Sequence, residues 1–284
     1  SLTQQAIELT NKIKLNGYVK NAYNKAIVKP CQSSARLGGW YTGGLRLAVL
    51  LLLWIFIACA PEGQDFTEMV FIPAGSSVMG HNHPAEEDAN PSHLVYLEAF
   101  WIDRYEVTNE QYRKCVLAKV CSEPEDLSFY NDPLFANHPV VYVSWYDATD
   151  YCQWMGKRLP SEAEWEKAAR GDEGYIYPWG NESRAECLNA GRRFTGTTPV
   201  GAFLCNASPY GAMDMAGNVW EWVEDWYEPY RNSHYTAELF GQKVKVVRGG
   251  SWNHPLEDAR SYHRDFAHPS RTLAVVGFRC ADSP

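Results

Sequence analysis

Short motifs rich in glycine, tryptophan and charged residues follow one another along the C-terminal half of the chain. They read Lys-Arg-Leu-Pro-Ser-Glu-Ala-Glu-Trp-Glu at 157–166, Gly-Asn-Val-Trp-Glu-Trp at 217–222, Arg-Gly-Gly-Ser-Trp at 248–252 and Gly-Phe-Arg-Cys-Ala at 277–281. Beyond Gly171 the chain consists mainly of glycine-bearing turns and aromatic residues, which favour loops over long regular elements. The motifs therefore indicate a fold with short elements and much irregular backbone.

The aromatic content indicates what kind of core such a fold has. The 284 residues include 11 tryptophans and 17 tyrosines, so large rings rather than long aliphatic helices are expected to fill the interior. The length allows one large domain or two small ones. A formal net charge of −8 argues against nucleic acid or an anionic membrane surface as a partner, because both attract a basic face.

Local patterns predict three helices and a few short strands. Thr108 and Ser161 are favourable N-caps, and Ser161 forms a capping box with Glu164. The expected helices run over 108–117, 145–155 and 161–170, and the expected strands over 69–75, 94–102, 244–247 and 277–280. A few helices packed on short twisted strands form an α+β domain.

An apolar run near the N-terminus predicts export. Residues 47–60 form an apolar stretch shorter than the roughly 20 residues of a spanning helix, but long enough for the core of a secretory signal. Cys59 follows a small residue at the end of this core, which resembles a bacterial lipobox and predicts a lipid anchor on that cysteine. A plain signal peptide or a single-pass anchor is the alternative. The chain is thereby divided into a dispensable segment at 1–44, a signal segment at 45–61 and a domain at 62–284.

The ordered motifs resemble those of the formylglycine-generating enzymes, also called sulfatase-modifying factors. Besides the four motifs above, the resemblance includes Ile-Pro-Ala-Gly at 72–75, Tyr-Glu-Val-Thr-Asn at 105–109 and Tyr-Pro-Trp-Gly-Asn at 177–181. It spans roughly residues 66–282. The fold that the resemblance implies is a C-type-lectin-like α+β domain with few helices, short twisted strands and much irregular structure.

The resemblance also locates a copper site, at which this chain departs from the family. In the catalytic members two cysteines after the Gly-Gly-Ser hold copper, whereas the matching residues here are His254 and Ala259. Thiolates select copper(I), and an alanine offers no donor atom, so copper and formylglycine formation are not expected. The candidate site is therefore a degenerate one, and its residues are Ser251, Trp252, His254 and Trp220.

Calcium is the metal that the resemblance implies. Carried over residue by residue, its ligands are the side chains of Asp214 and Glu221 and the backbone carbonyls of Gly217 and Val219. Glu106 and Asn189 match further calcium-associated positions. Calcium takes hard oxygen donors and mixes carboxylates with carbonyls, which fits this set. The alternative for Glu221 is a structural ion pair with an arginine.

Six cysteines remain in the domain if Cys59 is acylated and Cys31 precedes the mature chain, and an even number suits disulfides in an exported protein. Cys115 and Cys121 could close a short loop after a helix. The resemblance implies a Cys152–Cys280 bridge, which leaves Cys187 and Cys205 for each other. Free buried thiols are the alternative, since sequence alone does not assign connectivity.

These observations together predict an exported, lipid-anchored protein of the bacterial cell envelope. Its expected role is to bind an extended peptide, a protein or a glycan, or to act as a scaffold, through the surface around Ser251, Trp220 and Trp252. The alternative is a metal-dependent oxidase that modifies a protein side chain, as the family does, with a different set of metal ligands.

Overall fold

The structure is a computed structural model that describes residues 68–284. Three small sheets and three α-helices lie in this part of the chain, joined by turns and irregular segments. The strands are β1 (Met69–Ile72), β2 (Gly75–Met79), β3 (His93–Leu97), β4 (Phe100–Asp103), β5 (Trp220–Trp226), β6 (Lys245–Arg248), β7 (Arg264–Ala267), β8 (Val276–Phe278) and β9 (Ala281–Asp282). The helices are α1 (Asn109–Leu117), α2 (Trp145–Trp154) and α3 (Glu162–Arg170). Single 3-10 turns lie at Glu87–Ala89, Pro133–Phe135, Ala185–Cys187, Leu204–Asn206 and Leu256–Ala259.

The predicted signal segment and lipid anchor lie outside the described residues. The apolar run at 47–60, including Cys59, precedes residue 68, so both features stay predictions. Within residues 68–284, no helix has the length and apolar character that crossing a membrane requires.

The strands form sheets of three, two and four members. The order is β1–β4–β9 in the first sheet, β2–β3 in the second and β7–β6–β5–β8 in the third. All pairs are antiparallel except β5 with β8, where Glu221 lies opposite Gly277. The first and third sheets bring the C-terminal motif at 277–281 beside both β4 and β5.

One predicted strand is wrong in its extent. The segment 94–102 was expected to form a single strand, but the structure divides it into β3 and β4, which belong to different sheets. Alternate residues of β3 are exposed, whereas β4 buries three of its four residues. The chain therefore leaves one sheet near Glu98 and enters the other, a crossing that an apolar run does not reveal.

The predicted helix starts are confirmed, because side chains satisfy the free backbone N–H groups of each first turn. Thr108, Ser144 and Ser161 each cap a helix in a capping box with the residue three positions later. Helix α3 ends before Gly171, whose φ of +66° belongs to the left-handed region that glycine tolerates.

Large rings dominate the interior, as the composition predicts. One cluster contains Trp220 and Trp222 of β5 with Tyr112, Tyr151 and Phe278. A second cluster contains Trp165 of α3 with residues of β1, β4 and β6. The two β5 tryptophans are thus core residues, and Trp220 offers almost no surface to the partner that was expected around Ser251, Trp220 and Trp252.

Three disulfides cross-link the domain, with the pairings that were expected. They join Cys115 to Cys121, Cys152 to Cys280 and Cys187 to Cys205. The second ties α2 to the segment between β8 and β9, over a sequence separation of 128 residues. This bridge therefore closes a large part of the chain on itself.

A buried network of charges joins α3 to the four-stranded sheet. Glu162 accepts hydrogen bonds from Arg248 Nη1 at 2.6 Å and Arg264 Nε at 2.7 Å. Glu166 accepts one from Arg248 Nη2 at 2.7 Å and one from Arg170 Nη1 at 2.6 Å. The two carboxylates and three guanidinium groups are almost completely buried, so each charge depends on its partners.

Candidate functional site

The Gly-Gly turn after β6 is packed tightly against the loop that follows it. Gly249 and Gly250 have φ angles of +99° and +75°, and a Cβ on Gly250 would lie 2.9 Å from the Cα of Ala259. Ala259 has no exposed surface. The second family copper position is therefore a buried methyl group against backbone, with neither a donor atom nor free space beside it.

The first family copper position, His254, is engaged by two neighbours. Its Nδ1 lies 2.6 Å from the Ser251 hydroxyl and 3.3 Å from Trp220 Nε1. An indole N–H only donates, so Nδ1 is the acceptor and the neutral ring carries its proton on Nε2. The structure thus brings Ser251, Trp220 and His254 together, as expected, but around a single imidazole. This donor set does not fit a copper(I) site, which needs soft thiolates.

A small surface borders this site, and we call it the Trp252 surface: Arg192, Trp252, Asn253 and His254. The Arg192 N–H donates to the Trp252 carbonyl at 2.8 Å, and Arg192 Nε donates to Asn253 Oδ1 at 2.8 Å. The Trp252 N–H donates to the carbonyl of Asn218 at 2.9 Å. The surface is therefore held by backbone contacts on both sides, and its side chains are exposed or half-exposed.

A second group of titratable side chains lies near the Trp220 ring. The ring centroids of Trp220 and His263 are 5.8 Å apart, and His263 Nδ1 lies 3.2 Å from Glu86 Oε2. Glu86 also binds Arg260 at 2.7 Å. Burial raises the pKa of Asp265, while His263 and His254 act in the opposite direction. Sequence reasoning did not find Glu86, because no motif connects its loop to a histidine far along the chain.

The predicted calcium residues lie in or beside the buried segment 214–221, which we call the acidic turn, and Asn218 Nδ2 of this turn donates to Glu106 Oε2 at 2.7 Å. Glu106, Asp214 and Glu221 are buried, and Arg279 is the guanidinium that faces them. Burial raises the pKa of Glu106, and the nearby carboxylates of Asp214 and Glu221 raise it further. Burial likewise raises the pKa of Asp214 to about 6. Three buried carboxylates beside one arginine are costly to ionise together, so the cluster favours a bound proton or a bound cation.

Unpaired oxygen atoms belong to residues of this turn and its surroundings. Glu106 Oε1, Asn189 Oδ1 and Asn206 Oδ1 are all buried without a hydrogen-bond partner, and all three are acceptors. Asn189 Nδ2 donates towards Asn218, and Asn206 Nδ2 donates to the carbonyl of Ala216, so both amides adjoin the turn. Hard cations bind oxygen acceptors of this kind, and the donor set therefore fits calcium.

The turn itself needs the glycine that the motif supplies. Gly217 has a φ of +81°, and a Cβ there would lie 2.6 Å from the carbonyl oxygen of Asn189. In residues 68–284, no three His, Cys, Asp or Glu side chains converge as a ligand set by themselves. A cation in this turn would therefore depend on amide and backbone oxygens as well as on carboxylates. Asn206 was not among the predicted residues, since its motif-free loop carries no signal.

Glu221 forms the ion pair with an arginine that was the alternative to calcium binding. Arg279 Nε donates to Glu221 Oε2 at 2.6 Å and Arg279 Nη2 donates to Oε1 at 2.7 Å, a bidentate pair. Trp165 Nε1 donates to the same Oε2 at 2.8 Å. Any contact between this carboxylate and a cation is therefore shared with Arg279.

The family assignment follows from a match to a family model. The model described as "Sulfatase-modifying factor enzyme 1-like domain" matches residues 57–284. The chain belongs to this family. The match includes Ser251, His254, Ala259 and the acidic turn, so all of these residues lie within the matched family domain.

Proteins with different assigned activities are similar to this chain. The mouse inactive C-alpha-formylglycine-generating enzyme 2 is 31% identical over 86% of this chain and 96% of that protein. The serine/threonine-protein kinase pkn1 of Chlamydia caviae is 38% identical over 76% of this chain, which spans only 38% of that relative's length. The solved structure of PvdO from Pseudomonas aeruginosa has a TM-score of 0.63 at 30% identity, covering 76% of this chain and 94% of that one. The chain thus has the α+β, lectin-like fold of the family.

Proposed function

We propose that the domain is a binding module of an exported protein and does not oxidise cysteine. The observation that carries the proposal is the state of the two family copper positions, where His254 Nδ1 is engaged by Ser251 and Trp220 and Ala259 is a buried methyl group. A copper(I) oxidase needs soft thiolate ligands, and neither of the two positions supplies one. The three disulfides support export, because such bonds persist in oxidising compartments.

The partner we propose is an extended peptide bound at the Trp252 surface. Tryptophan and arginine are the residues that most often dominate binding energy, and this surface combines Trp252 with Arg192. The Nε2 proton of His254 and the Arg192 guanidinium are donors, which suits the carbonyl groups of an extended backbone. Backbone hydrogen bonds from both flanking loops keep these groups in place before a partner arrives.

Replacing Trp252 by alanine is expected to weaken peptide binding at least tenfold, since a half-buried tryptophan anchor contributes about 2 kcal/mol or more. Short random peptides displayed on phage are selected on the oxidised domain, and the affinities of enriched peptides are measured by calorimetry. Trp154→Ala, at a partly exposed tryptophan of α2, is the matched control and should leave affinity unchanged. Selection of no peptide, or equal affinity in both variants, contradicts the proposal.

We also propose that the acidic turn holds one structural calcium ion. The oxygens that would hold it belong to Glu106, Asp214, Asn189 and Asn206, together with the backbone of the turn at 217–219. The ion would supply the positive charge that Arg279 alone does not provide, and so would stabilise the fold without taking part in chemistry. The unpaired acceptor oxygens of Glu106, Asn189 and Asn206 support the assignment.

Metal analysis of the purified domain tests the binding module and the calcium site together. After separate additions of calcium, copper and iron, we expect about one calcium per chain and no retained copper or iron, with no change in His254→Ala. Saturation with calcium at a hundred times its dissociation constant should add about 2.7 kcal/mol of stability. Glu106→Gln should lose this gain, and Glu110→Gln, at an exposed carboxylate of α1, should keep it.

Two outcomes of the metal analysis would overturn these proposals separately. One copper or iron per chain that depends on His254 would favour the alternative, a metal-dependent oxidase with a changed ligand set. A domain that binds no calcium, and whose stability calcium does not raise, would remove the calcium assignment while leaving peptide binding to its own test.

A further inference from the structure

The three disulfides of residues 68–284 differ in how far their cysteines are exposed. Cys205 is an exposed residue, whereas its partner Cys187 and all four cysteines of the other two bridges are buried. Reduction of a disulfide begins when a thiolate reaches one of its sulfurs, so access is one of the factors that set the rate. The Cys187–Cys205 bridge is therefore the one of these three that an external thiol reaches most readily.

The same bridge joins the two chain segments that carry unpaired amide oxygens beside the acidic turn. Cys187 lies two residues before Asn189, and Cys205 lies directly before Asn206. Oδ1 of both asparagines is buried without a hydrogen-bond partner. The bridge connects the 3-10 turns Ala185–Cys187 and Leu204–Asn206 with a Cα–Cα distance of 5.2 Å. It therefore restrains both segments that supply these amides.

The loop that the bridge closes contacts the acidic turn at three points. The Asn218 N–H donates to the Asn189 carbonyl at 2.8 Å, and the Thr198 N–H donates to Asn218 Oδ1 at 2.9 Å. The Gly201 N–H donates to Asp214 Oδ2 at 2.5 Å. A change in the bridge is thus transmitted to the residues that would surround the calcium ion.

Other hydrogen bonds hold this loop independently of the bridge. The Gly191 N–H donates to the His254 carbonyl at 2.7 Å, and the Val200 N–H donates to the Asn137 carbonyl at 3.0 Å. Opening the bridge should therefore loosen the two ends of the loop, where the amides lie, while the domain stays folded. An ion that must first order two loosened amides binds more weakly than one that meets them in place.

We propose that the Cys187–Cys205 bridge positions the calcium-binding amides and that its reduction by a dithiol weakens calcium binding. This inference rests on the proposed calcium site. A thiolate of the dithiol attacks the Cys205 sulfur, the S–S bond breaks, and the Cys187 sulfur leaves with the electron pair and takes up a proton. The second thiol of the reductant then displaces Cys205 as a thiol, and the reductant leaves as its own disulfide. Two electrons pass to the bridge, so calcium is bound tightly in an oxidising compartment and weakly after reduction.

Calorimetric titration of calcium into the oxidised protein and into a variant that combines Cys187→Ala with Cys205→Ala tests the proposal. We expect an affinity at least tenfold lower in the variant, because its two amides must be ordered on binding. The combination of Cys115→Ala with Cys121→Ala is the matched control. It removes a buried bridge that adjoins neither amide, and it should keep the affinity of the unchanged protein. Thermal unfolding without calcium checks that both variants are folded.

A second measurement uses the unchanged protein and needs no variant. The protein is equilibrated with increasing concentrations of dithiothreitol, free thiols are alkylated, and mass spectrometry identifies the bridge that has opened. We expect Cys187–Cys205 to open first. Because coupling between two equilibria is reciprocal, saturating calcium should disfavour its reduction by the same factor by which reduction weakens calcium binding. A tenfold effect corresponds to about 30 mV in the potential of the bridge.

The outcomes separate this inference from the calcium assignment. Equal calcium affinity in the oxidised protein and in the variant without Cys187–Cys205 would overturn the inference and leave the calcium site in place. Earlier opening of another bridge, or reduction of Cys187–Cys205 that calcium does not affect, would also overturn it. If the oxidised protein binds no calcium, the calcium site is wrong and the inference falls with it.

Discussion

Substitution of Glu162 by glutamine is expected to lower the free energy of unfolding by about 3–5 kcal/mol, the usual cost of breaking a buried ion pair from one side. Glu162 is 3% exposed and accepts hydrogen bonds from Arg248, from Arg264 and, at 3.1 Å, from the Tyr230 hydroxyl. The variant would leave two buried arginines with one carboxylate fewer. Urea unfolding with the disulfides intact measures the change.

The same substitution has an expected pH dependence. Burial acts to raise the pKa of Glu162, but Arg264 and Arg248 outweigh it and hold the pKa below its usual value of 4.5. A carboxyl whose pKa is lower in the folded state stabilises the fold above its unfolded pKa, and this stability is lost as the pH falls. The difference between the protein and Glu162→Gln should therefore be full at neutral pH and shrink as the pH falls below about 4.5.

Glu110→Gln, on the exposed face of α1, is the control for this prediction and should change stability by less than about 0.5 kcal/mol. If Glu162→Gln behaved like this control, the charge network between α3 and the sheet would contribute little. The fold would then depend on the aromatic clusters alone for the packing of α3.

Removal of the Cys152–Cys280 bridge is expected to cost about 5 kcal/mol, against about 2 kcal/mol for the Cys115–Cys121 bridge. The bridges have sequence separations of 128 and 6 residues, and loop-closure entropy in the unfolded chain grows with loop length. All four sulfurs belong to buried residues, so double alanine variants create similar cavities and can be compared directly. Chemical unfolding of the two variants gives the two costs.

Equal costs for the two bridges would contradict this chain-entropy argument. Such a result would mean that the unfolded chain stays compact near Cys152 and Cys280 without the bridge, or that packing at the sulfurs determines both costs. A cost that is larger for Cys115–Cys121 would point to strain or repacking around α1 instead.

Local signals in the sequence were sufficient for the helices. Thr108 and Ser161 each carry the hydroxyl that accepts a backbone N–H of the first turn, and both cap the helices that they predicted. Gly171 ends α3 because its φ is positive. Capping depends on residues within four positions of each other, so it can be read without tertiary structure.

Strand β5 was missed for a physical reason. Its first four residues, Trp220 to Val223, are buried on both faces, so the alternation that marks a half-buried strand is absent. The prediction of a single strand over 94–102 was wrong for the opposite reason, since this one apolar run contains two strands of different sheets. Pairing partners decide both cases, and these lie far away along the chain.

The sequence by itself determined the family fold, the helix caps, the aromatic core and the loss of both copper thiolates. Only the tertiary structure decided that His254 is bound by Trp220, that Glu221 pairs with Arg279 and that Asn206 adds an unpaired oxygen to the acidic turn. Capping and composition act over a few residues, whereas buried charges and amides are satisfied by whichever partners the folded chain brings within hydrogen-bond distance.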